Sequence, residues 1–145
     1  MTLDPSELLA AAVSVRERAY APYSGFSVGA ALVAADGRVF AGVNVENASY
    51  GLSMCAERVA IYHALSQGVR HVEAIAVAGP DGVRTMHCGA CRQVLHEFGP
   101  GMRVIFADGG RVRVVPLSSL LPDAFGPADL AAAPCPKGEP PGDAR

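Results

Sequence analysis

The sequence has 145 residues, of which 50% are hydrophobic and only 18% are charged. Its 12 Lys+Arg against 14 Asp+Glu leave no basic excess of the kind that binds duplex nucleic acid or an anionic membrane. No apolar run approaches the roughly 20 residues that span a bilayer, and residues 1–7 lack the basic cluster of a signal peptide. We therefore expect a cytoplasmic protein of one domain, whose low charge and mean hydropathy of +0.25 indicate an oligomer.

The first half of the chain predicts a helix, a pair of strands and a second helix. Asp4 is a suitable N-cap for the first helix, and Asp36-Gly37 is a hairpin turn that pairs the two strands antiparallel. Gly68 follows the second helix as a C-terminal signal. By hydrophobic periodicity and these boundary signals, the elements are a helix over 5–19, strands over 26–34 and 39–45, and a helix over 55–67.

The second half predicts three more strands and one helix. A buried strand over 72–78, a helix over 88–98, and strands over 104–107 and 112–115 follow in order. This alternation predicts an α/β layered domain with a central mixed sheet, in which helical crossovers join parallel neighbours. Prolines and glycines dominate from residue 131 onward, so we expect a single domain over 1–130 and a flexible tail over 131–145.

Two short cysteine runs carry the chemistry of the chain. They are Cys55-Ala56-Glu57-Arg58 and Cys88-Gly89-Ala90-Cys91-Arg92. Three thiolates suit zinc but leave it one ligand short of a closed tetrahedral site, and that open position is where a catalytic zinc holds water. Glu57, two residues after the first cysteine, has the chemistry to move that water's proton. The runs therefore predict a hydrolytic zinc enzyme.

The position of both runs at predicted helix starts supports this interpretation. Helix N-terminal N–H groups stabilise the negative charge of a zinc ion with three thiolates, and Arg58 and Arg92 are expected to temper that charge further. A CxxC pair could instead form a redox couple, but that would leave the Cys55 run unexplained. Cys135 lies between two prolines of the predicted tail, and we expect no role for it.

Six motifs follow one another between residues 19 and 130. They are AYAPYS (19–24), FSVGA (26–30), VNVENASYG (43–51), CAER (55–58), CGACRQVL (88–95) and LLPDAFG (120–126). Each motif is weak alone, but in this order they resemble the cytidine deaminases that act on free nucleosides, in their short homotetrameric class. One departure is His87, since members of this family usually have proline before the first cysteine of the CxxC run.

The resemblance implies a three-layer α/β/α fold with a central mixed five-stranded sheet, and one zinc ion per subunit. Cys55, Cys88 and Cys91 would bind the zinc, Glu57 would shuttle protons and Arg58 would support the ligands. Asn44 and Glu46 would bind the ribose hydroxyls. The remaining contacts to the base would come from Phe26, Tyr50, the backbone of Ala56, and Phe125 reaching a neighbouring subunit. Phe26 and Phe125 could instead be ordinary core residues.

The implied reaction is the zinc-dependent hydrolytic deamination of cytidine and 2′-deoxycytidine to uridine and 2′-deoxyuridine with release of ammonia, a step of pyrimidine salvage. Zinc-bound water, activated by Glu57, would attack C4. Two alternatives stay open: a deaminase of a cytosine-nucleoside antibiotic, and a structural zinc module with His87 or Cys135 as fourth ligand. Deaminases that edit nucleic acid usually carry His where this chain has Cys55, so no nucleic-acid or membrane partner is expected.

Overall fold

The computed structural model describes residues 3–132, so Cys135 and the predicted tail beyond residue 132 lie outside the described residues. The helices are α1 (Pro5–Val15), α2 (Ala56–Ser66), α3 (Gly89–Phe98), α4 (Leu117–Leu120) and α5 (Pro127–Ala132). The strands are β1 (Gly29–Ala34), β2 (Val39–Val43), β3 (Val72–Ala78), β4 (Arg103–Asp108) and β5 (Arg111–Pro116). Within these residues no helix is both long and apolar enough to cross a membrane.

The five strands form one mixed sheet in the order β2-β1-β3-β4-β5. β1 pairs antiparallel with both β2 and β3, β3 pairs parallel with β4, and β4 pairs antiparallel with β5. The crossover through α3 joins parallel neighbours, as predicted. The crossover through α2 differs, because it passes over β1, so that β2 and β3 run in the same direction without being neighbours.

The sheet separates two apolar cores, which confirms the three-layer arrangement. Alternate residues of β1 point to opposite faces: Leu32 packs in the core beneath α2 and α3, whereas Ala31 and Val33 pack against α1. Because every residue of β1 is buried, the strand is apolar throughout. A strand at the centre of a sheet covered on both faces has this composition.

Two glycines allow helices to lie close to the sheet. A Cβ at Gly29 would collide with the carbonyl oxygen of Ala12 in α1, and a Cβ at Gly42 would lie 2.7 Å from the carbonyl oxygen of Ala56 in α2. The helix backbone therefore occupies the space that a side chain would need. Gly42 brings the first turn of α2, which follows Cys55, against β2.

The element boundaries differ from the predictions in a few places. α1 ends at Val15, and Arg16–Arg18 continue it as a 3₁₀ turn. Residues 26–28 are not part of β1, because the side chain of Asn44 binds their backbone instead of a strand ladder. α5 was not predicted, and it spans the expected start of the tail at residue 131.

Candidate active site

The three cysteines converge because β2 and β3 end at the same edge of the sheet. Gly29, the first residue of β1, pairs with Val43 at the end of β2 and with Ala78 at the end of β3. The segments that leave these two strand ends lead to α2 and α3. Cys55 is the N-cap residue of α2 and Cys88 that of α3. Both helices therefore direct their N-terminal N–H groups toward one point, which favours negative charge there.

The sulfur atoms of Cys55, Cys88 and Cys91 all lie within 4.8 Å of one another. Those of Cys88 and Cys91 are 3.5 Å apart. Cys91 is buried, Cys55 is partly buried and Cys88 is exposed, so one side of the cluster faces solvent. Within residues 3–132 this cluster contains no fourth metal-binding side chain, which disfavours a closed structural zinc site.

The electrostatics of the cluster fit a divalent cation. A hydrogen bond from Cys91 lowers the pKa of Cys55 to about 5, against the effect of burial and with support from the Arg58 guanidinium. The same bond, together with burial, raises the pKa of Cys91 far above its usual range. Three sulfurs this close cannot all lose their protons unless a cation offsets the charge. Zinc, which takes thiolate ligands, matches this donor set.

Arg58 lies in the first turn of α2, three residues after Cys55. Its Nη2 donates a hydrogen bond to the Sγ of Cys55 at 3.4 Å. Thiolate character at Cys55 in turn raises the pKa of Arg58, which therefore stays charged. A fixed positive charge beside a thiolate withdraws electron density from it, as expected of a residue that tunes a metal ligand.

Glu57 is buried beside the cysteines, although it is a carboxylate. Its side chain is 6% exposed, and its Oε1 lies 2.6 Å from the Nδ1 of His87, whose side chain is fully buried. Burial is the strongest single influence and raises the pKa of Glu57, but the hydrogen bond from His87, the charges of His87 and Arg58 and a backbone hydrogen bond together bring the pKa below its usual value. Glu57 is therefore an ionised proton acceptor beside the metal-binding sulfurs. The sequence analysis noted His87 but did not predict this contact.

Asn44 and Glu46 flank Val45, whose backbone pairs with that of Met54 immediately before Cys55. The Asn44 side chain accepts a hydrogen bond from the Val28 amide and donates one to the Phe26 carbonyl, each at 2.8 Å. Each polar atom of the amide keeps one further hydrogen-bonding position free. The Asn44 side chain therefore already stabilises the loop that precedes β1.

Glu46 organises the loop that contains Tyr23 and Ser24. Its Oε1 accepts hydrogen bonds from the backbone amides of both residues, and its Oε2 accepts one from the Ser24 hydroxyl. These bonds lower the pKa of Glu46, that from the Ser24 side chain most strongly. An open cavity of about 290 Å³ adjoins this carboxylate, and its lining consists of Tyr23, Ser24, Glu46, Tyr50 and Ser53.

The other predicted contact residues are distributed around this region. Tyr50 is exposed and stacks edge-on against Tyr23 with ring centroids 5.9 Å apart. Ala56 is fully buried in the first turn of α2. Phe26 and Phe125 are 40% and 58% exposed, so neither is a core residue, and neither lines the cavity beside Glu46.

Two residues of α3 hold the segment that carries Phe125. The sequence analysis expected Arg92 to temper the thiolate charge and assigned no role to Gln93. Arg92 donates to the carbonyl oxygen of Leu120 at 2.9 Å, and Gln93 donates to the carbonyl oxygen of Phe125 at 2.8 Å. Both residues belong to the CRQVL run quoted above. The available signal in the sequence was a pair of long polar side chains directly after Cys91. Their hydrogen-bond partners lie about thirty residues away along the chain, so the sequence did not indicate which groups they bind.

Comparisons with known proteins agree with this site. The family profile described as "Cytidine and deoxycytidylate deaminase zinc-binding region" matches residues 3–108. A cytidine deaminase of Halalkalibacterium halodurans is 45% identical over 130 residues, which cover 88% of this chain and 98% of that protein. One of Mycobacterium tuberculosis is 48% identical over 112 residues, covering 77% of this chain and 82% of that protein.

A solved structure extends the agreement to the fold. The crystal structure of cytidine deaminase from Burkholderia pseudomallei is 53% identical, with a TM-score of 0.80, and the match covers 85% of this chain and 100% of that chain. The likeness includes the mixed five-stranded sheet with its helices. This chain belongs to the cytidine and deoxycytidylate deaminase family and carries its zinc-binding region.

Proposed function

We propose that the protein is a zinc-dependent hydrolase that deaminates cytidine and 2′-deoxycytidine to uridine and 2′-deoxyuridine, in pyrimidine salvage. The observation that carries this proposal is a cluster of three cysteines, open to solvent on one side, beside the buried and ionised Glu57. Membership of the family and the names of its relatives support the choice of substrate. We further propose that the protein is cytoplasmic, with one domain over residues 1–130.

Cys55, Cys88 and Cys91 would hold one zinc ion per subunit, with Arg58 supporting Cys55. Bound zinc supplies Lewis acidity, which makes a water molecule acidic enough to lose a proton near neutral pH. With three protein ligands, a bound zinc ion would keep its fourth coordination position open for that water. A fourth protein ligand would occupy that position instead.

Glu57 would carry the protons of the reaction. Its carboxylate takes a proton from the attacking water and delivers it to N3 of the cytosine ring, which makes C4 more electrophilic. The water oxygen bonds to C4. Glu57 then takes the second proton from the new hydroxyl on C4 and passes it to the exocyclic amine. The C4–N4 bond breaks, ammonia leaves, and the C4–O bond becomes the carbonyl of uridine. The sum is one water consumed and one ammonia released, with the carboxylate regenerated.

Asn44 and Glu46 would hold the ribose. The hydrogen bonds described above use only part of the capacity of each side chain, so one position on each remains for a sugar hydroxyl. The backbone of Ala56 would meet the edge of the base, while Phe26, Tyr50 and a Phe125 from another subunit would pack against the nucleoside. The exposed rings of Tyr50 and Phe125 are available for such contacts.

The decisive experiment follows the ultraviolet absorbance of cytidine during incubation with the purified, zinc-loaded protein. We expect absorbance to fall as uridine forms, to stay constant after chelation, and to fall again when zinc is restored. Parallel reactions with 2′-deoxycytidine and with a cytosine-nucleoside antibiotic test substrate choice. Turnover of the antibiotic alone would contradict the proposal, and so would zinc-loaded protein that is inert toward all three.

A further inference from the structure

His87 occupies an unusual position in this site. It immediately precedes Cys88, yet its side chain turns inward, is fully buried, and reaches Glu57 across thirty residues of sequence. The two residues belong to the two segments that carry the cysteines: Glu57 to the first turn of α2, and His87 to the loop before α3. Their contact therefore joins the segments by a side-chain bond that does not involve the metal.

The direction of this hydrogen bond follows from its partners. A carboxylate oxygen accepts hydrogen bonds, and Oε1 lies 2.6 Å from the Nδ1 of His87, so we assign a hydrogen to that Nδ1. This holds whether the ring carries one proton or two. The Nε2 is buried and has no hydrogen-bond partner among the described residues. Among the described residues, the His87 ring therefore forms a hydrogen bond through Nδ1 alone.

We infer that His87 is a positioning residue for Glu57, whose Nδ1–H holds the Oε1 atom and leaves Oε2 as the oxygen that exchanges protons with the substrate. This inference rests on the proposed role of Glu57 as proton carrier. A carboxylate with one oxygen tied to a rigid, buried ring has fewer orientations to lose before a proton transfer. A proline at this position could not donate such a bond, because proline has no side-chain N–H.

The geometry disfavours the other role considered for His87, that of a zinc ligand. The mutually close donor atoms are those of the three cysteines alone, and Nδ1 is already engaged by Glu57. Substitution of His87 should therefore leave the zinc content of the purified protein unchanged. A loss of zinc equal to that caused by Cys88→Ser would overturn the assignment.

Three variants separate the hydrogen bond from the bulk of the ring. His87→Leu keeps the volume and removes the donor, while His87→Asn places an amide N–H close to the position of Nδ1. His87→Gln places its amide near the position of Nε2 instead. His71→Leu is the matched control, because His71 is an exposed histidine outside the site.

In zinc-loaded protein we expect His87→Leu and His87→Gln to lower kcat roughly tenfold or more with little change in KM, because a bond to a charged group is lost. His87→Asn should recover most of the loss, and His71→Leu should have no effect. Equal kcat in the Leu and Asn variants would refute the positioning role.

A measurement on the wild-type protein avoids any dependence on turnover. Nitrogen-15 NMR of the histidine rings should show the His87 hydrogen on Nδ1, shifted downfield and slow to exchange with solvent. The same hydrogen should exchange rapidly in Glu57→Ala. A hydrogen found only on Nε2 would overturn the inference even in an active enzyme. If the Nδ1 hydrogen exchanges slowly but the protein has no deaminase activity, the His87–Glu57 hydrogen bond is supported and only the proposed function is contradicted.

Discussion

The chemistry of this site depends on how single residues hold charge. A hydrogen bond between Cys55 and Cys91 lowers the pKa of the Cys55 thiol and raises that of the Cys91 thiol. Glu57 is buried, and burial alone would favour its neutral form. The hydrogen bond from His87 reverses that preference only together with the charges of His87 and Arg58 and a backbone hydrogen bond, so that the pKa of Glu57 is lowered. A cluster of cysteines that can bind a cation therefore lies beside an ionised carboxylate that can accept a proton.

Replacing Glu57 by Gln tests its role as a proton carrier. The amide keeps the shape of the side chain but has no basicity, so deamination should fall by about 10²–10⁴-fold or more. Zinc should remain bound, since Glu57 is not a ligand, and metal analysis of the purified variant checks this. Near-wild-type turnover by zinc-loaded Glu57→Gln would show that another group moves the protons.

Glu46→Gln tests the carboxylate that organises the Tyr23–Ser24 loop. Because folding lowers the pKa of Glu46 below its ordinary 4.5, its contribution to stability is present above that value and is lost as pH falls through the folded pKa. The wild type should therefore melt at a higher temperature than the variant near pH 7, and the difference should shrink toward pH 3. Melting curves at several pH values measure this. A difference that grows on acidification would contradict the hydrogen-bond assignment.

At the scale of elements, the site depends on how closely α2 approaches β2. Gly42 faces the backbone of Ala56 and Ala60 directly, and backbone atoms cannot move aside as a flexible side chain can. The same first turn of α2 carries Glu57 and follows Cys55. A shift of α2 away from the sheet would therefore displace a metal ligand and the proton carrier together.

Gly42→Ala should destabilise the fold by about 1–3 kcal/mol or more, because the added methyl group overpacks this contact. Gly51→Ala is the matched control, since a Cβ there meets no atom within 4 Å. It should be neutral or stabilising by up to about 1 kcal/mol. Denaturant unfolding of both variants at one protein concentration provides the comparison. Equal stability of the two would show that α2 can retreat from β2 without cost.

At the scale of the whole molecule, large apolar side chains remain on the surface of the described chain. Tyr50, Leu52, Phe125 and Leu130 are each more than half exposed. Such surface is typical of a protein that associates with further copies. We propose a homotetramer in which Phe125, held by Gln93 of its own chain, reaches the pocket of a neighbouring subunit.

Phe125→Ala tests this assembly. Loss of stacking on the base should raise KM about tenfold or more, as expected for roughly 1–3 kcal/mol per stacked base, while zinc stays bound. One side chain does not hold such an interface, so light scattering should still find the oligomer. A fully active monomer at assay concentration would contradict the shared pocket, as would an unchanged KM.

The cluster of three cysteines that suits a zinc ion could be predicted from sequence, because residue type and spacing indicate it. Two cysteine runs at helix starts supply the donors that zinc takes, wherever the helices finally lie. Hydrophobic periodicity likewise predicted all five strands and the three helices α1, α2 and α3. The exposure of Phe26 and Phe125 could not be predicted, because aromatic residues occur in both cores and surfaces.

Only the tertiary structure decided that β1, and not β2, became the neighbour of β3. Local periodicity is the same for β2 whether it pairs with β1 alone or also with β3, so the strand order β2-β1-β3 could not be predicted from the pattern. The hydrogen bond between His87 and Glu57 likewise depends on how the loop before α3 packs against the first turn of α2. The sequence by itself determined which groups were available for chemistry, and the folding of distant segments decided which of them met.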